Sequence, residues 1–211
     1  MSDRVEAVIW DFGGVITSSP FAAFARFEAE RGLPPDFLRT VNATRPHENA
    51  WARLERNELD VAGFDVAFAE ESAALGHVVR GAEVLPLLAG EIRPEMVEAL
   101  RRIRARLRTG CITNNFVAMG ESPLGGLYKA EIMALFHQVI ESAKVGLRKP
   151  DPRIYTMMTD ALGVAPSRCV FLDDLGINLK PARALGMHTI KVEAPGPALA
   201  ELERLVGFPL S

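Results

Sequence analysis

The chain has 211 residues, of which 48% are hydrophobic and 24% charged, with a net charge of −3 and a pI near 5.9. That is the composition of a soluble globular protein, long enough for one large domain or for a core with a small accessory domain. The acidic balance argues against a nucleic-acid binder, whose domains are strongly basic. No apolar run approaches the roughly 20 residues of a membrane span, and the opening residues show no charged leader, long apolar run and cleavage site, so a cytoplasmic protein is expected.

In chain order, Val5 to Trp10 is an apolar run broken only by Glu6, which reads as a buried strand. Helical spacing then holds for about 75 residues. Ser19 and Pro20 open a first helix carrying Phe21, Phe24 and Glu28, and a second spans Asp36 to Val41. A polar loop, Asn42 to Asn49, precedes a third helix with Trp51 and Leu54. Asp60 caps a fourth helix, with Phe64, Phe68 and Leu75 inside and Gly76 at its end, and a weaker helix covers Ala82 to Leu88. From Pro94 the pattern alternates: helix to Leu107, strand Thr109–Thr113, a loop Ser122–Gly126, helix to Leu135, strand Gln138–Glu141, and a helix capped by Asp151 and closed by Gly163. Cys169–Leu172 is the next strand. A helix from Asn178 to Gly186 follows, with Pro181 expected in its first turn. Strand His188–Val192 and an amphipathic helix with Leu199, Leu202 and Leu205 complete the chain. Arg101, Arg102, Arg104, Arg106 and Arg108 read as the solvated face of the helix whose apolar side carries Met96, Leu100 and Ile103. Cys111 and Cys169 lie in apolar runs, where a thiol acts as a small hydrophobe.

The expected fold is α/β: a Rossmann-like parallel sheet covered on both faces, with an inserted α-helical cap. The core is assigned to residues 1–17 and 92–211 and the cap to 18–91. Four pieces fall at one edge of this sheet: Asp11, Thr113-Asn114, Lys149 and Asp173-Asp174. Each alone reads as a turn, a cap or a solvated lysine; together they border one crevice at the carboxyl ends of the strands. The chemistry they fit is phosphoryl transfer. Asp11 can attack phosphorus and form an aspartyl-phosphate. The carboxylates of Asp11, Asp173 and Asp174 call for a cation, and Mg²⁺ suits oxygen ligands and phosphate, with the Gly13 carbonyl as a further ligand and Asn178 steadying the shell. Thr113 and Asn114 can hold phosphate oxygens, and Lys149 balances the charge. Substrate choice is expected from Asn42, Arg45, His47, Asn49 and Trp51, with 116–126 opposite.

These motifs resemble those of the haloacid dehalogenase-like (HAD) superfamily of hydrolases. Asp11, Thr113, Lys149 and Asp173-Asp174 match its four motifs, and the insert matches a C1 cap. Val139 to Gly146, Phe171 to Arg183 and Leu185 to Met187 are similar to the N-terminal phosphatase domains of soluble epoxide hydrolases. The resemblance implies a small phosphorylated substrate and Mg²⁺; charge and hydropathy argue against a nucleic-acid or membrane partner, and a monomer or homodimer is expected. It also implies that the first strand lies between the second and fourth, which keeps Cys111 and Cys169 about 10 Å apart and unbridged.

One position departs. HAD phosphatases usually carry an aspartate two residues after the nucleophile, as general acid and base; here it is Gly13. Three readings follow: a phosphatase with a good leaving group or a proton supplied by His47 or Glu48; a 2-haloacid dehalogenase, which needs no such acid; or a non-catalytic module that binds phosphate or a partner.

Overall fold

The structure, a computed structural model, describes residues 4–116 and 126–210. Five parallel strands form one sheet: β1 (Ala7–Trp10), β2 (Arg108–Thr113), β3 (Gln138–Glu141), β4 (Cys169–Asp173) and β5 (His188–Lys191), in the order β3-β2-β1-β4-β5. As expected, β1 is central. Glu6 extends its pairing through the backbone, accepting from Arg108 N (3.0 Å) and donating to Arg168 O (2.9 Å). Val8 and Trp10 pack into one apolar cluster and Ala7 and Ile9 into another, so both faces are covered. Both cysteines are free and buried. Cys111 pairs in register with Trp10 and Cys169 with Ala7, which places them at opposite ends of β1 and in different clusters.

The sequence between β1 and α6 (Pro94–Arg104) folds as helices around an apolar cluster that Phe116, just after β2, joins: α1 (Phe21–Glu30), α2 (Phe37–Ala43), α3 (Ala50–Glu55), α4 (Val61–Ala73) and the short α5 (Gly81–Val84), continued by a 3₁₀ turn Leu85–Leu88. Its two connections to the core run side by side. Thr17 and Ile92 form an antiparallel bridge and Ser18 N donates to Glu91 O at 2.7 Å. A Cβ at Gly90 would meet Ser18 O at 2.4 Å, so only glycine permits this approach. The remaining helices are α7 (Gly126–Met133), α8 (Ser142–Val145), α9 (Pro152–Leu162), α10 (Gly176–Ala184) and α11 (Pro195–Val206).

Local chemistry departs from expectation at several ends. Asp60 and Asp151 cap as expected, accepting from Gly63 N (2.7 Å) and Arg153 N (2.9 Å). Ser19 does not cap α1; the N-cap is Pro20, without a side-chain bond. Leu75 lies beyond α4 and is exposed. Helix α10 begins at Gly176, two residues early, so Pro181 falls inside it, where its missing N–H costs a helix bond. The expected loop Ser122–Gly126 lies outside the described residues up to 125. Asp36 makes no cap bond to α2; the buried Glu28 carboxylate of α1 instead accepts from Asp36 N (3.0 Å) and Leu38 N (2.9 Å). Glu28→Ala leaves both donors unpaired, and urea denaturation is expected to show a loss of about 1–3 kcal/mol.

Candidate active site

Parallel pairing brings the carboxyl ends of β1, β2 and β4 together, and with them the residues that follow each strand. The buried Lys149 ammonium lies between two carboxylates, 2.8 Å from Asp11 Oδ1 and 2.7 Å from Asp173 Oδ2. Asp11 Oδ1 also accepts from Phe12 N at 2.7 Å. Burial would lower the Lys149 pKa, but the charges of Asp11 and Asp173 outweigh it and hold the group protonated. Burial raises the Asp11 carboxyl well above its usual range; Lys149 pulls it back, and Asp173 pushes it up. Asp174 is pushed up to about 6 by burial and by the Asp173 charge.

These three carboxylates each offer an oxygen within 4.8 Å of the others. One ammonium against three acids is too little positive charge, and a cation beside Asp11 and Asp174 would relieve the repulsion. The donor set is all oxygen, as Mg²⁺ requires. Asp173 is also bonded within the protein. Its Oδ1 accepts from Leu175 N (2.8 Å) and Asn178 Nδ2 (3.0 Å), and its Oδ2 from Lys149. Asp173 therefore holds both Asn178 and Lys149 from behind, while Asp11, Lys149, Asp174 and Asn178 line the adjoining cavity. Tyr155, which the sequence does not single out, donates to Asn178 O at 2.7 Å from α9.

The two glycines after Asp11 differ. Gly14 has φ +75° and a Cβ there would lie 2.2 Å from Asp174 Oδ2, so backbone and packing both require glycine. A Cβ on Gly13 would meet nothing within 4 Å. The missing carboxyl is thus not a steric necessity of this loop.

A cavity of about 1100 Å³ opens over Asp11 between sheet and insert. Thr113, Asn114, Gly13, His47, Asn42, Asn49 and Trp51 line it. Most of its wall is apolar, including Phe21, Phe24, Leu85, Leu88 and Phe116. Arg45, Glu48 and Asn114 stand in other surroundings than the sequence suggests. Arg45 is exposed, with φ 48°, and lies off the lining, its charge acting on Glu71 instead. Glu48 is exposed and off the lining too, so of the two expected proton sources His47 alone faces the cavity. The Asn114 amide is already engaged: Oδ1 accepts from Lys149 N (2.9 Å) and Nδ2 donates to Lys149 O and Glu55 Oε2 (3.1 Å each). Asn49 lines the cavity but serves as the N-cap of α3, accepting from Ala52 N at 2.9 Å. Glu55, Arg148 and Lys129 also line the cavity, and sequence reasoning passed over them. Arg148 carried one signal, its place beside Lys149.

A family model described as haloacid dehalogenase-like hydrolase matches residues 5–186. Over 97% of its length the chain is 37% identical to mouse acyl-CoA dehydrogenase family member 10, covering 19% of that protein. Over 98% of its length it is 33% identical to mouse bifunctional epoxide hydrolase 2, covering 39%. The chain thus spans well under half the length of these curated relatives. A phosphatase, MT3486 of Mycobacterium tuberculosis, is 36% identical over 50% of the chain and 46% of its own length. Among solved structures, a HAD family enzyme of Bacteroides thetaiotaomicron, in complex with magnesium and inorganic phosphate, superposes with a TM-score of 0.62 at 19% identity over 94% of this chain and 98% of that one. A dehalogenase with an intermediate complex superposes with a TM-score of 0.66 at 19% identity over 98% and 99%. With four motifs at one sheet edge, a helical insert over them and a family match along most of its length, the chain belongs to the haloacid dehalogenase-like hydrolases.

Proposed function

We propose that the chain is a Mg²⁺-dependent phosphatase acting on a small phosphorylated metabolite, with 1–17 and 92–211 as catalytic core and 18–91 as its cap. The observation that carries this reading is Lys149, held between Asp11 and Asp173 beside a third carboxylate that faces the cavity. A dehalogenase has no need for such an acidic surplus. Gly13 favours the dehalogenase alternative, because halide leaves without a proton.

Asp11 attacks phosphorus with the carboxylate oxygen that Lys149 and the Phe12 amide leave free. The phosphorus–oxygen bond to the leaving group breaks, and water then attacks the aspartyl-phosphate, releasing phosphate and restoring Asp11. Lys149 fixes the nucleophile's orientation and offsets negative charge as the transferring group spreads it. Thr113, at the cavity wall, holds a phosphate oxygen. Asp11, Asp174 and the Gly13 carbonyl would hold Mg²⁺, which would supply further positive charge at the phosphate. The substrate's organic part lies against the apolar wall.

Without a carboxyl at position 13, good leaving groups should be favoured. With Mg²⁺, aryl and acyl phosphates are expected to turn over faster than alkyl phosphates, chelation to stop turnover, and 2-haloacids to remain intact. Haloacid turnover without metal, and none on phosphates, would establish the dehalogenase alternative. Mg²⁺ should also raise the thermal midpoint of the wild-type protein; at 100 times Kd, binding adds about 2.7 kcal/mol. Asp174→Asn should lose most of that increment.

A further inference from the structure

Among the described residues lining the cavity, Glu55 is the acidic side chain that the insert contributes. It ends α3, where a carboxylate gains nothing from the helix dipole. Its partners lie across the cavity, in the core. Arg148 Nε donates to Glu55 Oε2 at 2.5 Å, and Asn114 Nδ2 donates to the same oxygen at 3.1 Å. Both side chains of the ion pair are largely buried, 18% and 15% exposed. Arg148 Nη1 also donates to Pro46 O in the insert, at 3.0 Å.

The two core partners frame Lys149. Arg148 precedes it in the chain, and the Asn114 amide clamps its backbone at both N and O. Asn114 itself follows Thr113. One oxygen of the insert is therefore shared by the Asn114 side chain, which clamps the Lys149 backbone, and by the side chain of Arg148, the residue before Lys149. Moving the insert away removes that acceptor from both together.

We infer that Glu55 is a positioning residue: it docks the insert on the core and, through Arg148 and Asn114, sets Lys149 for the reaction only when the insert is closed. The kinetic half of this inference rests on the phosphatase reading; the docking half does not. A charge-assisted bond in a shielded site is strong enough to act this way, and residues sharing one network are non-additive.

The test uses Glu55→Gln, Arg148→Gln and the double variant in the full chain. Each single variant is expected to lower kcat on an aryl phosphate about tenfold, with a smaller change in KM. The double variant should be no worse than either single one. Acrylamide quenching reports docking independently of activity. Trp51 sits on α3 at the cavity wall, stacked on Phe64 at 4.8 Å, whereas Trp10 is fully buried in the core. Quenching should increase in both single variants and fall back least in them when Mg²⁺ and inorganic phosphate are added. Unchanged kcat and quenching would overturn the inference. So would additive losses, or a kcat loss that disappears below the variants' shifted thermal midpoints. If either variant fails to fold, the other decides, since each removes one side of the same bond. If the wild-type protein hydrolyses no phosphate, the phosphatase reading fails and quenching alone decides whether Glu55 docks the insert.

Discussion

Gly13→Asp is expected to raise turnover of alkyl phosphates by about 10²–10⁴-fold, the usual contribution of general acid–base catalysis. The substitution restores a carboxyl that can protonate the leaving oxygen and then activate water. The loop accepts it, because a Cβ at this position meets nothing within 4 Å and the backbone is not left-handed. Gly14→Asp is the informative contrast, since its Cβ would collide with Asp174 at 2.2 Å and the fold should suffer. Aryl phosphates should gain far less than alkyl phosphates from Gly13→Asp, since their leaving groups need no proton. Parallel kcat/KM measurements on both classes check this. No gain on alkyl phosphates would mean that another group already delivers the proton. His47→Gln would then be the next measurement, because His47 faces the cavity.

Lys149→Met is expected to cost both stability and activity. The side chain is 1% exposed and makes ion pairs of 2.8 and 2.7 Å with Asp11 and Asp173. Methionine fills similar space but leaves two buried carboxylates facing each other. Removing one partner from a buried ionic group costs about 3–5 kcal/mol, which urea denaturation will read. Turnover should fall by at least about 10²–10³, the effect of losing a single preorganised charge-stabilising donor. Stability retained at the wild-type level would contradict the assignment of Lys149 as the counter-charge of Asp11 and Asp173.

Strand ends were readable because buried parallel strands are short apolar runs, and the first polar residue after each lands at the same edge. The structure brings Asp11, Thr113, Lys149 and Asp174 to one cavity, with Asp173 bonded to Lys149 beside it. The insert was readable from its unbroken helical period. What each side chain bonds to was not, because such bonds join distant segments. Asp173 reads as a metal ligand by adjacency to Asp174, yet its oxygens are engaged by Lys149, Leu175 and Asn178. Asn114 reads as a phosphate contact and instead clamps the Lys149 backbone. Glu28 caps a helix eight residues on, where local rules favour Asp36. Arg45 and Glu48 share a polar loop with His47, but the loop's left-handed turn at Arg45 directs only part of it to the cavity.

In the proposed reaction Asp11 carries the phosphoryl group between substrate and water. The most direct measurement is acid-quenched mass spectrometry of the protein mixed with excess acetyl phosphate and Mg²⁺, followed by peptide mapping. A hydroxylamine-labile phosphoryl group is expected on the peptide containing Asp11, formed at a rate no slower than turnover and absent from Asp11→Asn. Phosphate release at the wild-type rate by Asp11→Asn, or turnover with the phosphoryl group on another residue, would contradict it.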